Sequence, residues 1–228
     1  MKKFIVVLII CIQFIQVSFA QQTFLFKFNP LFQHSTLSLD SIYNLNNKAT
    51  IQFETLKLYI SNIEFYKKDQ FVDRENTSYH LLDCENTQSL NLKIPKNNTN
   101  EFDRIQFQVG IDSVTNNAGA MGGDLDPTKG MYWTWQNGYI NFKLEGKTSN
   151  STARNHSFEF HIGGYTAPFA TIQTITFNTE NQGQIHIDID IEKLIRDLDF
   201  STLNHVMSPG VEAVKLSEKV KTIFSLHQ

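Results

Sequence analysis

Hydrophobic and polar positions alternate in short runs along most of this chain. Phe24, Phe26 and Phe28 alternate with Thr23, Leu25 and Lys27, and Asn29-Pro30 follows as a turn signal. This pattern predicts a first strand that ends before Pro30. Leu37-Ser38-Leu39 is a shorter piece of the same period. Residues 50–65 form the longest run, rich in β-branched and aromatic side chains, and suit a strand packed on one face. Further strands are predicted over residues 79–83, 89–94, 104–109, 139–144, 158–162, 171–177 and 185–191. In the last of these Ile185, Ile187, Ile189 and Ile191 share one face, while His186, Asp188 and Asp190 share the other. Residues 67–78 and 147–155 are polar and read as loops. Residues 114–129 carry Gly, Asn and Asp without periodicity, and a connection of that length is usually functional or mobile.

Two segments have helical spacing. Residues 192–198 are short and amphipathic. Residues 211–224 place Ala213, Leu216, Val220 and Phe224 on one side, after Pro209-Gly210. About ten short strands with turn signals between them predict an all-β fold, a β-sandwich with a C-terminal helix.

The N-terminus departs from the alternating pattern. Lys2 and Lys3 precede an apolar run, and Ser18-Phe19-Ala20 closes it, so residues 1–20 read as a secretory signal peptide cut after Ala20. The run is too short for a good membrane span. Residues 21–228 then read as a single domain, periplasmic, cell-surface or secreted. The full chain has 20 Lys and Arg against 23 Asp and Glu; without Lys2 and Lys3 the balance is more acidic still. A nucleic-acid partner would want a basic face, so none is expected. Cys84 is the one cysteine beyond the leader, and the fold must stand on its core rather than on a disulfide.

Candidate chemistry is sparse. There is no Gly-x-Ser-x-Gly elbow, phosphate loop, His-Glu-x-x-His or Cys-x-x-Cys, so no enzyme is indicated. Asp112, Asn116, Asn117, Asp124 and Asp126 cluster in the long loop. Such hard oxygen donors could hold calcium, with Asp124 and Asp126 the leading pair, although Asx turns explain the same residues. His161 is out of phase with Phe158, Phe160 and Ile162, and points away from their face. His186 lies on a polar face, and His227 sits at the tail, where disorder concentrates. Trp133 and Trp135 are two positions apart, a spacing that puts both indoles on one side of an extended segment. The pair reads as a core anchor, or as the wall of a site that stacks on a glycan or a protein partner. Unmodified indole is a poor metal ligand, because its nitrogen carries a proton and its lone pair belongs to the ring. Ring opening to kynurenine exposes an aniline nitrogen and a carbonyl.

Residues 122–146 contain Met-Tyr-Trp-Thr-Trp-Gln-Asn-Gly-Tyr, and residues 160–165 read Phe-His-Ile-Gly-Gly-Tyr. With Leu58-Tyr59-Ile60-Ser61-Asn62-Ile63 and His205-Val206-Met207-Ser208-Pro209-Gly210, these strings resemble the MbnP-like family of periplasmic or surface copper-binding proteins, and more distantly the methanotroph proteins MopE and CorA. The resemblance runs from the Phe26 region to Phe224. It implies a β-sandwich that binds copper through histidine and a kynurenine made from tryptophan by a di-haem peroxidase-like partner. Carried across, His161 is the ligand, either Trp133 or Trp135 is the modified position, and His34 stands nearest to a first-strand histidine that many relatives have. This chain departs from that pattern: Phe26-Lys27-Phe28 occupies the place, and His34 lies beyond Pro30.

Overall fold

The structure is a computed structural model that describes residues 23–46, 48–76, 78–95, 101–179 and 183–227. The predicted leader and its cleavage position lie outside the described residues. No helix among the described residues is long and apolar enough to cross a membrane.

Fifteen strands occur among the described residues. In chain order they are β1 (Thr23–Phe32), β2 (Ser35–Thr36), β3 (Ile42–Asn44), β4 (Thr50–Lys67), β5 (Gln70–Arg74), β6 (Tyr79–Asp83), β7 (Asn91–Pro95) and β8 (Arg104–Val109). There follow β9 (Tyr132–Trp133), β10 (Gly138–Thr148), β11 (Ser157–Gly163), β12 (Gln173–Asn178), β13 (Gln184–Asp190), β14 (His205–Val206) and β15 (Phe224–Leu226). Three α-helices accompany them: α1 (Ser113–Ala118), α2 (Ile191–Ile195) and α3 (Val211–Thr222).

The strands form two sheets. The smaller runs β15-β13-β1-β2, with β7 also against β1. The larger runs β12-β8-β4-β10-β11-β14; β3, β5 and β6 pair with other stretches of β4, and β9 pairs with β10. Alternation turns Phe24, Phe26, Phe28, Ile185, Ile187 and Ile189 inward from the smaller sheet. They meet Leu56, Leu58, Ile60, Phe107, Phe142 and Phe160 of the larger one in a single apolar cluster. Edge-to-face rings knit the layers: Phe28 lies 6.1 Å from Phe107 and Phe24 lies 5.1 Å from Phe102, centre to centre. This is the predicted sandwich. The helix α3 buries Ala213, Leu216 and Val220 and packs on β11, β12 and α2.

The central strand β4 keeps its apolar side inward for 18 residues by slipping phase twice. Its register shifts opposite Glu145 and Gly146, and again after Ser61, where Asn62 takes a φ of 49°. Each slip is a bulge that inserts a residue and restores the alternation beyond it.

Several elements differ from the sequence reading. The strand β1 runs through Pro30 to Phe32 instead of turning there. The carbonyl of Pro30 faces β2, where it accepts from the Leu37 N–H at 2.9 Å. The missing Pro30 N–H therefore faces that edge and not the parallel ladder to β13. Residues 37–39 are not a strand, and the polar stretch after Lys67 contains β5. Ile191 opens α2, with Asp190 as its cap, and Phe224 leaves the helix for β15. The aperiodic loop contains α1 and two short 3-10 turns.

Candidate functional site

The strands β10 and β11 pair with Leu144 opposite Phe160 and Lys143 opposite His161. Phe142, Leu144, Phe160 and Ile162 enter the main core. Alternation therefore sends Lys143, Glu145, Glu159, His161 and Gly163 to the outer face of the larger sheet. His161 is nevertheless 6% exposed. Its Nε2 lies 2.6 Å from Glu145 Oε1, and Lys143 Nζ lies 3.2 Å from the same oxygen. The hydrogen bond from His161, with others from Thr55 and the Lys143 charge, holds the Glu145 carboxyl down at about 2 despite burial. A carboxylate accepts only, so Nε2 of His161 carries a proton and, in the neutral ring, Nδ1 carries the lone pair. That Nδ1 is buried and has no hydrogen-bond partner among the described residues.

Two positions along the same face, Gly163 makes room for Trp133. A Cβ at 163 would stand 2.7 Å from Trp133 Cζ3 and 2.7 Å from the Tyr139 carbonyl oxygen, so the indole lies directly on the glycine backbone. Gly163, on which the indole lies, and His161 are therefore two positions apart on one face of β11, roughly 6.6 Å along the strand. Trp133 is 5% exposed and its Nε1 also has no partner. Among the described residues three buried side-chain nitrogens lack partners: Arg104 Nε, Trp133 Nε1 and His161 Nδ1. Two of the three belong to the residues of this corner, and such atoms in a native fold call for an explanation.

The long loop holds this corner in place. Asp112 caps α1 through the Thr115 N–H at 2.9 Å and accepts from the Tyr79 hydroxyl at 2.7 Å. Asn116 donates to the Ile111 and Asp112 carbonyls and accepts from the Tyr139 N–H at 2.8 Å. The Tyr139 hydroxyl accepts from the Met121 N–H at 3.0 Å and donates to the Leu125 carbonyl at 3.1 Å. The Tyr59 hydroxyl donates to the Asp124 carbonyl at 3.0 Å. Beneath these bonds Tyr59, Leu81, Ile111, Leu125, Met131, Trp133, Tyr139 and Ile140 form a second apolar cluster.

The family model of MbnP matches residues 21–208. The chain belongs to the MbnP family. Among solved structures, MbnP from Methylosinus trichosporium superposes with a TM-score of 0.62, over 90% of this chain and 98% of that one, at 11% identity. At that identity the likeness is one of fold. No curated protein sequence matches the chain.

Within this MbnP-family fold the predicted residues separate. His161 and the Gly163 backbone that Trp133 lies on share one face of β11. Trp135 does not share a strand face with Trp133, because the chain turns over residues 134–137 directly after β9. Its ring still lies 5.9 Å from that of Trp133, centre to centre, but is 65% exposed. His34 occupies the exposed β1–β2 turn at a φ of 60°, on the smaller sheet rather than with His161. Asp124 accepts from the Leu81 N–H at 3.0 Å and from Lys129 Nζ at 2.6 Å. Asp126 accepts from the Thr128 N–H at 2.8 Å, and bonds from Thr128 keep its carboxyl below the usual range. Protein donors thus use the loop carboxylates, as Asx and capping turns do. Among the described residues no group of three or more His, Cys, Asp or Glu side chains is placed to hold a metal.

Sequence reasoning missed Glu145, the role of Gly163, and Met131. Met131 is fully buried in the same cluster as Trp133 and brings a soft sulfur to it. The phase of His161 against Phe160 was a signal for its face. Nothing local in the sequence pairs it with Glu145, sixteen residues away.

Proposed function

We propose that this chain is a periplasmic, cell-surface or secreted copper-binding protein without catalytic turnover of its own. Its site is the corner where Trp133 lies on Gly163 beside His161. The observation that carries this reading is the pair of buried, unpartnered nitrogens at that corner. An imidazole that donates one N–H to a carboxylate and keeps the other nitrogen free is the arrangement that metal-ligating histidines adopt. Glu145 therefore fixes the tautomer and orientation of His161, and Nδ1 is the ligand atom. Copper accepts imidazole, and thioether sulfur suits its reduced form.

Trp133 fits the same purpose after oxidation. Its indole nitrogen carries a proton and offers no lone pair to a metal. Opened to kynurenine, it would present an aniline nitrogen and a carbonyl beside His161. A di-haem peroxidase-like partner could deliver the oxidising equivalents at Trp135, which is exposed and in ring contact with Trp133. Copper content of protein from the native cell is the test. A His161→Ala variant is expected to lose most of its copper, and equal copper in both proteins contradicts the proposal.

A second reading rests on the exposure of Trp135 and the open cleft beside it. That cleft, about 550 Å³, is lined by Asn116, Asn117, Tyr132, Thr134, Asn137 and Tyr165 among others. Exposed aromatic and amide side chains of this kind suit a glycan or a protein partner. Glycan-array binding that disappears in Trp135→Ala and persists without copper would favour it.

A further inference from the structure

On the outer face of the smaller sheet, β13 and β15 run antiparallel, with Ile187 opposite Leu226 and Asp188 opposite Ser225. The next pair along this ladder is His186 and His227, joined by the bond from the His227 N–H to the His186 carbonyl at 3.0 Å. The penultimate residue of the chain is therefore held against β13, not loose at a tail. Directly opposed residues project to the same face, with Cβ atoms about 5 Å apart. The two imidazole centres are 6.0 Å apart and their planes differ by 34°. A cation bound at ~2.0–2.1 Å from one nitrogen of each ring sets the ring centres roughly 5–6 Å apart, so small χ rotations suffice to share one.

The electrostatics favour a cation. Nδ1 of His227 lies 2.9 Å and 3.0 Å from the two oxygens of Asp188. The carboxylate accepts only, so a proton sits on Nδ1 and, in the neutral ring, Nε2 keeps its lone pair. Asp188 is itself held by the Asn29 amide at 3.1 Å. The His186 ring makes no hydrogen bond among the described residues, and a cleft of about 240 Å³ is lined by both imidazoles with Gln184 and Thr179. Lys27, opposite His186 on β1, is the nearest opposing charge in register, and it is exposed. His227 also lies beyond residues 21–208, the span that the family model matches.

We propose that His186 and His227 form a two-imidazole site for a late first-row divalent cation, separate from the Trp133 corner. Imidazole selects such ions over magnesium and calcium, and waters complete the coordination. The bound ion would pin β15 to β13 and so fasten the C-terminal strand.

The test is calorimetric titration of untagged, chelator-treated protein (residues 21–228) with Zn²⁺. The wild type is expected to bind zinc saturably at this site. In a His161→Ala background, which removes the other proposed imidazole site, His186→Ala and His227→Ala are each expected to weaken that binding at least tenfold, and His205→Ala to leave it unchanged. In that background zinc should also raise the Tm of the parent and of His205→Ala but not of the other two. Equal Tm values without zinc would show that all the variants fold. The proposal is overturned if the parent shows no saturable zinc binding, or if either of His186→Ala and His227→Ala binds as the parent does. Failure of copper binding at His161 would leave this result untouched, so the two sites stand or fall separately.

Discussion

The two apolar clusters of this protein are built on different rules. The main one lies between the sheets and consists mostly of Phe, Ile, Leu and Val side chains projecting from regular strands, with α2 and α3 adding Leu194, Ala213, Leu216 and Val220. Along its strands the backbone polar groups are satisfied by the ladders, so alternation specifies their share of it. The second lies outside the larger sheet, beneath the irregular chain from Ile111 to Trp133, and includes two tyrosines, a tryptophan and a methionine. That cover has little ladder of its own. Its amides and carbonyls are paired by the side chains of Asn116, Asp124, Tyr59 and Tyr139. A densely satisfied region of this kind still leaves Trp133 Nε1 and His161 Nδ1 without partners. Unpaired atoms amid such thorough pairing call for an explanation, and the copper site proposed above supplies one.

Substitutions should separate the two clusters by size of effect and by what they report. Phe107 is fully buried against Phe28 and Phe224. Phe107→Ala should cost about 3–5 kcal/mol in urea unfolding while leaving tryptophan emission of the folded state unchanged. Asn116→Ala should cost about 2–3 kcal/mol, because it strands the buried Tyr139 N–H and the Ile111 carbonyl. It should also shift tryptophan emission to the red as the cover loosens. Equal emission in both variants would mean that the second cluster is not held by its polar bonds.

Gly163→Ala comes next. Its Cβ would meet the Trp133 ring and the Tyr139 carbonyl oxygen at 2.7 Å, for an expected loss of roughly 1–3 kcal/mol with a displaced Trp133 signal. The smallest effect concerns pH. The folded Glu145 carboxyl is depressed from 4.5 to about 2. Its contribution is therefore complete above pH 4.5 and is lost as pH falls through about 2. Allowing for solvent screening, about 1–2 kcal/mol should disappear across that window. In Glu145→Gln the stability profile should be flatter by that share, as acid unfolding curves of the two proteins would record.

The same contrast explains what could be read in the sequence. Phe24, Phe26 and Phe28, the residues of β8 and the isoleucines of β13 announce their faces by period two. The helix α3 announces itself by its spacing after Pro209-Gly210. Pro30 misled because its meaning depends on which neighbour its nitrogen faces, and that is a property of the sheet. The Trp133/Trp135 spacing misled because an extended chain was assumed where a turn follows β9 at once. His161 could be assigned to the outer face by phase, but its burial comes from tertiary structure that no local pattern encodes. Glu145 and Gly163 matter only through register, Glu145 by pairing across β10 and β11 and Gly163 by the close approach of an indole. The family resemblance supplied the copper expectation, and both Lys27 and His34 lie on the smaller sheet, away from the outer face that carries His161.

The central claim is that His161 and an oxidised Trp133 make one copper site. Its most direct test is fragmentation mass spectrometry of the tryptic peptide 130–143, bounded by Lys129 and Lys143, from copper-loaded protein purified from its own organism. The account expects kynurenine at Trp133 and an intact Trp135. Two intact tryptophans in copper-loaded protein, or kynurenine at Trp135 alone, would contradict it.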